Sequence, residues 1–334
     1  MKTRPYLLSL LVLLLAIALS IAIGSVRIPL GDLWLVLTGE APVDVSQAAV
    51  IILTLRLPRT ALVLLTGAAL GTSGAAYQGL FRNPLADPYL VGVASGAGLG
   101  AVLAMSIQWP YTSAGLLAVP AAAFIGALAT VFLVYFLARV GKTLPTTNLI
   151  LAGVAFSFFA SALTSFLMLR STGELRRSIA WLMGGSVQVG WGPVLSILPF
   201  LLPGLAVLLL SGHALNLLQY GDEQAAQMGL PVLRVRTILL IAASLATASA
   251  VAFSGIIGFI GLIVPHVMRL AFGADHRRLL PLSLLGGAAL LLLSDVLARV
   301  VMAPQELPVG IVTALAGVPF FLWILRRAKN QGYW

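Results

Sequence analysis

The sequence contains no cysteine. Disulfides, thiolate nucleophiles and cysteine-ligated zinc or iron–sulfur centres are therefore excluded. Charge is scarce too. Asp, Glu, Lys and Arg make up 9% of the 334 residues, against roughly 25% in a soluble domain. The three histidines, His213, His266 and His276, are scattered and show no metal-ligand spacing. Carboxylates are missing from the middles of the apolar runs. The nearest is Asp295, towards the end of its run, with Arg299 four residues on as a partner. Ion-coupled carriers keep ionisable groups at mid-membrane, so this scarcity argues against them, although sodium can be held by backbone carbonyls alone. No Ser/His/Asp set and no HExxH motif points to an intramembrane hydrolase. Gly141-Lys142-Thr143 looks like the end of a phosphate-binding loop, but Phe136 stands where that motif needs glycine and no strand precedes it. The chain is expected to have no catalytic residues, no metal site and no ATP site of its own.

What is present is apolar. The chain is 60% hydrophobic, with a mean hydropathy of +1.05. A surface of that kind cannot be hidden in a globular core, so the solvent is lipid. Backbone groups in hydrocarbon must be paired within their own segment. The long continuous runs therefore predict an all-α polytopic membrane protein rather than a β-barrel with short alternating strands. The net charge of +10 could suggest nucleic acid, but the basic residues cluster at the ends of the runs. Membrane topology explains them better.

About ten spans can be read along residues 1–334, taken as a single transmembrane domain. Lys2 and Arg4 precede the first, from Tyr6 to Ile23, read as an uncleaved helix with a cytoplasmic start. Residues 24–47 form an external loop. The second helix opens at Leu55-Arg56-Leu57-Pro58-Arg59 and runs to Phe81, with small residues at Gly67, Gly71 and Gly74 that allow close helix approach. A cytoplasmic turn, residues 82–88, is fixed by two prolines. Further helices are expected at 92 onward (short and glycine-rich), 114–137, 147–169 and 191–210, then one ending near Phe253. The run Ser254–Gly261 is too rich in glycine for an ordinary helix. It leads into a short apolar piece ending at Pro265-His266, and broken helices at membrane depth line cavities or pathways. Spans at 279–297 and 309–325 complete the set. Thirteen of the twenty Lys and Arg residues then fall inside and seven outside, with both termini cytoplasmic.

One polar interruption stands out in the second half, Leu217 to Arg236. A helix-capable piece, Asp222 to Met228, lies between Gly221 and Gly229-Leu230-Pro231. Asp222 and Glu223 sit in its first turn, where carboxylates favour the positive end of the helix dipole. It reads either as a solvated loop or as a docking element for a soluble partner. Arg56, Arg59 and Arg299 are all placed at the outer surface. There they would suit bidentate docking to carboxylates of a partner, lipid headgroups, or an internal pair such as Asp295–Arg299.

Several stretches taken together, in order, resemble one family: LRLPR (55–59), GAALGTSGAAYQ (67–78), NPLADPYLVG (83–92), WLMGG (181–185), 221–229, GFIGLIVPHVMR (258–269), DVLAR (295–299) and ELPVGIVTALAGVP (306–319). The chain is similar to the FecCD/BtuC permeases of type II ABC importers for iron–siderophores, haem and vitamin B12. That resemblance implies a ten-helix BtuC-like fold in the bacterial inner membrane and a second permease subunit, expected as a homodimer. It also implies two ABC ATPase subunits that carry the ATP and magnesium, and a periplasmic binding protein. It implies coupling helices at about 213–230, with Leu217, Gly221, Asp222, Glu223, Ala226 and Gly229 meeting the ATPase. It assigns Arg56, Arg59 and Arg299 to binding-protein docking, and Asn83, Leu85, Thr146 and Thr147 to a cytoplasmic gate. The substrate is not named by any residue. Ferric siderophore or haem is ranked above cobalamin, and Arg170, Arg176 and Arg177 suit either an anionic chelate or further docking contacts. An ion-coupled secondary transporter is the alternative of a different class.

Overall fold

The computed structural model describes residues 3–39, 46–107, 109–110, 112–141, 143–170, 173–185 and 190–329. Lys2 and Lys142, counted in the topology above, lie outside the described residues, as do residues 40–45 of the external loop. Among those described, the fold is helical, with one isolated bridge between Val140 and Thr143.

The helices in chain order are α1 (Arg4–Ala22), α2 (Leu30–Thr38), α3 (Ser46–Val50), α4 (Leu57–Leu80), α5 (Val93–Met105), α6 (Ser113–Ala138), α7 (Thr146–Arg170) and α8 (Leu175–Leu182). They continue as α9 (Trp191–Leu210), α10 (Gly212–Leu218), α11 (Asp222–Gln227), α12 (Val232–Ser254), α13 (Ile260–Phe272), α14 (His276–Val300) and α15 (Val309–Lys329). A π turn, Ile51–Arg56, joins α3 to α4. Seven helices are long and apolar enough to cross a membrane: α1, the continuous run from Gln47 to Leu80, α6, α7, α9, α12 and α14. Shorter apolar helices stand where the third, eighth and tenth spans are expected, which accounts for the ten.

The bundle is built around α4. From Thr66 to Leu80 every residue of this helix is buried, and α14, α12, α13 and α9 pack on it. Lipid tails are as apolar as leucine, so membrane helices associate through close packing and polar contacts. Both occur here. A Cβ on Gly67 would strike the Gly287 carbonyl of α14, and one on Gly74 would strike the Gly261 carbonyl of α13. Tyr77 Oη lies 2.7 Å from Ser244 Oγ of α12. Arg269 Nη2 donates to Gln78 Oε1 at 2.9 Å. The glycine-rich face of α5 meets α6 in the same way, through Gly96 and Gly126.

Two expectations are corrected. Residues 24–47 are not only a loop, since α2 lies within them. The short apolar piece does not end at Pro265-His266, because α13 continues to Phe272. Proline inside a helix removes the N–H that would bond the carbonyl four residues back. Here that carbonyl is Gly261 O, and Gln78 Nε2 of α4 donates to it at 3.4 Å. The neighbouring helix satisfies the freed acceptor, so the helix goes on. The expected irregular stretch before it is present. Tyr89 Oη donates to Ile257 O at 2.8 Å and accepts from Ile257 N–H at 3.2 Å. Gly255, at φ 75°, packs so closely on Trp181 O that a side chain would collide.

Candidate functional site

Three groups of residues carry the sequence-level expectations. The first surrounds the end of α1. The last carbonyls of a helix have no partner within it, and those of α1 are met by arginine. Arg56 Nη1 donates to Ile21 O and Ala22 O, each at 2.8 Å, and its Nη2 donates to Val26 O. Arg299 donates through Nη1 and Nη2 to Ser20 O at 3.2 and 3.1 Å. Its Nε lies 3.0 Å from Asp295 Oδ2, the anticipated i, i+4 pair. Both arginines are buried, at 5% and 3% exposure. The expectation that they face the outer solvent is therefore corrected: they close the C-terminal end of α1. Arg59 differs. Its side chain is 30% exposed, and it bridges Asp295 Oδ1 at 2.9 Å and Glu306 Oε2 at 2.6 Å. Of the three arginines, Arg59 is the one that reaches the surface, and it arrives already paired.

Cavities flank this end. One of about 410 Å³ is lined by Arg59, Arg176, Thr66 and Asp295 among others. A second, of about 750 Å³, includes Arg170, Glu174 and Arg177, with Arg177 3.5 Å from Glu174. Arg176 and Arg170 thus line two different cavities.

The second group lies at the opposite end of the bundle. The polar interruption folds into two short helices, α10 and α11, hinged at Gly221 (φ 102°) and followed by Gly229 (φ 85°), conformations that favour glycine. Leu218 and Ala225 point into the bundle, while Glu223, Ala226 and Met228 are exposed. Leu217 and Gly221 are half-buried. The pair is therefore anchored on one side and open on the other. The anchoring is polar. Asn216 Nδ2 donates to Asp275 Oδ1 at 2.6 Å, Asn216 Oδ1 accepts from His276 N–H at 2.9 Å, and Gln219 Nε2 donates to Gly79 O at 2.8 Å. The bond from Asn216 holds the Asp275 carboxyl below the usual carboxylate range. Asp222, expected to serve the helix dipole, also pairs with Arg236 at 2.8 Å. Arg234 and Arg236 do not lie in a loop: they belong to the first two turns of α12, and Arg236 is buried.

The third group is the pair of turns expected to form the gate. Asn83 Oδ1 accepts from Leu85 N–H at 2.9 Å, an Asx turn that shapes the α4–α5 connection. Arg82 leaves α4 at φ 50°, unusual for a residue with a side chain. Further along, Asp87 accepts from Tyr89 N–H at 2.8 Å, and burial pushes its carboxyl up to about 6. At the start of α7, Thr146 is half-buried and Thr147 exposed, so the two threonines open the helix rather than lie in the turn before it. Among the described residues no hydrogen bond runs directly between the Asn83–Leu85 turn and Thr146 or Thr147. Arg236, Asn216 and Gln219, which tie α10 and α11 to the bundle, were not singled out from sequence. Their partners are backbone groups and side chains on other helices, which no local spacing reveals.

Comparison with known proteins fits this arrangement. A model of the FecCD transport family matches residues 11–327. The chain belongs to the FecCD transport family. It is 47% identical over 281 residues to a cobalamin import system permease, BtuC, of Halobacterium salinarum, covering 84% of this chain and 74% of that one. It is 42% identical over 327 residues to a hemin transport system permease, HmuU, of Yersinia pestis, covering 96% and 95%. A solved inward-facing ABC transporter, assigned by its description to the metal-chelate type, superposes with a TM-score of 0.83 at 31% identity, over 98% of this chain and 99% of that one. As in that neighbour, the FecCD fold here is that of an ABC-transporter permease, multi-spanning and helical.

Proposed function

We propose that this chain is the membrane permease of an ATP-driven importer that passes a large metal chelate from a binding protein to the cytoplasm, working as a homodimer with two separate ATPase subunits. The observation that carries this reading is the pair α10–α11. It is a short-helix element hydrogen-bonded to α4 and α14 on one side and open on the other, a shape suited to receive the motion of a soluble motor. ATP hydrolysis belongs to the partner subunit. Glu223, Ala226 and Met228 form the exposed contact face.

Docking of the binding protein centres on Arg59, with Arg56 and Arg299 holding the helix end beneath it. For the cargo, relatives are named for cobalamin and for hemin, both within the class of large metal chelates that also includes ferric siderophores, and the ligand of the binding protein decides among them. The distribution of Lys and Arg supports cytoplasmic termini.

The deciding experiment co-purifies the chain with its candidate ATPase and measures ATP hydrolysis in liposomes as loaded binding proteins are added. A complex whose hydrolysis rises with a cobalamin- or haem-loaded protein supports the reading. No ATPase association, with uptake driven by an ion gradient alone, overturns it in favour of a secondary transporter.

A further inference from the structure

A buried guanidinium is costly to hold unless it is paired, so the partners it keeps are informative. Arg236 is buried where α12 begins, and its partners sit on other segments. Nη2 donates to Asp222 Oδ1 of α11 at 2.8 Å. Nη1 reaches Leu144 O in the α6–α7 connection at 3.3 Å and Thr146 Oγ1 at the start of α7 at 3.5 Å. Arg82, from the turn that carries Asn83 and Leu85, lies against Gly221 at the hinge of α11. The Nε of Arg236 is buried with no hydrogen-bond partner among the described residues. One rigid, planar cation therefore joins the exposed coupling helix to the threonine turn, and the second turn abuts the same cluster.

We propose that Arg236 is a positioning residue that transmits displacement of α11 to the Leu144–Thr146 turn, and so sets whether the cytoplasmic end of the pathway is open. This rests on reading α11 as the element that meets the ATPase. The guanidinium fork is planar, so its bonds to Asp222 and to Leu144 O are geometrically linked. When α11 moves, Asp222 moves with it. The guanidinium must then either turn with the carboxylate and release the α6–α7 connection, or stay and release Asp222. The first course carries the motion of α11 to Leu144 and Thr146, and it is the one on which the positioning role depends.

The test uses the full complex with its ATPase and binding protein in liposomes, reading uptake per ATP hydrolysed. Arg236→Met should still assemble with the ATPase and hydrolyse ATP, but uptake per ATP should fall roughly tenfold, the scale of one charge-assisted hydrogen bond. Arg236→Lys keeps the charge but loses the fork, and should fall between. A wild-type ratio in Arg236→Met overturns the proposal. So does a variant that merely yields less folded complex at an unchanged ratio, since that is a structural role alone. If Arg236→Met does not assemble, Asp222→Asn and Thr146→Val each remove one partner from the guanidinium, and an unchanged ratio in both overturns it. Failure of the wild-type chain to bind any ATPase is a separate result, and removes the permease reading itself.

Discussion

At the scale of single residues, the polar groups of this chain divide by whether they close backbone or face solvent. Asp295 is buried between Arg59 and Arg299. Removing it leaves Arg299 buried without a carboxylate, while Arg59 keeps Glu306, and breaking a buried pair in this way costs about 3–5 kcal/mol. Asp295→Ala should therefore lower unfolding stability in detergent by that order, whereas Glu174→Ala, whose partner Arg177 is exposed, should change it by less than about 1 kcal/mol. Asp87 supplies a pH signature. Its carboxyl is raised from 3.8 to about 6 by burial, so the folded state holds the proton more tightly than the unfolded chain. That contribution is fully present below the unfolded value and is lost as pH rises through about 6. Asp87→Asn, which keeps an acceptor for Tyr89 N–H, should remove this loss. Thermal melts at a series of pH values would show it as a flatter profile for the variant. The sequence placed Arg299 correctly near a helix end, but Arg56 lies within the run that begins at Gln47, and the burial of both was not foreseen. Their partners are the unpaired carbonyls of α1, backbone groups that carry no residue-specific mark.

At the scale of elements, patterning was most legible where composition changes abruptly. Trp191 to Leu210 was read with both ends in place, because Gly190 precedes it and Ser211-Gly212 follows. The α11 segment was legible for the same reason, framed by Gly221 and Gly229. The continuation of α13 past Pro265 was not, because it depends on Gln78 from another helix. Predictions here concern fit. Gly74→Ala places a methyl group against the Gly261 carbonyl, and overpacking of this kind costs about 1–3 kcal/mol. A reduced melting temperature with normal helix content by circular dichroism is expected. For α11, Glu223→Arg changes an exposed side chain that makes no hydrogen bond or ion pair among the described residues. It should leave insertion intact while sharply reducing uptake driven by ATP, measured against hydrolysis in the same vesicles.

At the scale of the whole molecule, the ten spans and the family were legible because lipid imposes a coarse, length-based pattern and because the motifs recur in order along the chain. The grouping of polar residues at the two ends was partly legible. Charges marked the ends, but which of them touch one another is a property of the folded bundle. If the chain pairs with a second copy, amine cross-linking of the purified complex should yield a species of twice the chain mass, and crossing Arg59→Glu into both copies should weaken binding-protein capture most strongly at low salt.

The interlocking of Gly67 with Gly287 and of Gly74 with Gly261 also bears on biogenesis. The helix at the centre of the bundle is made early, and the surfaces that close on it are made late. At roughly 5–20 residues per second, α4 waits on the order of tens of seconds in the bilayer before α14 emerges. During that interval Gly67 has not yet met Gly287, and until α13 is made Gln78 lacks Gly261 and Arg269. A ribosome that stalls between α12 and α14 would leave a chain whose core helix is still open, a state that membrane proteases can distinguish from the finished protein.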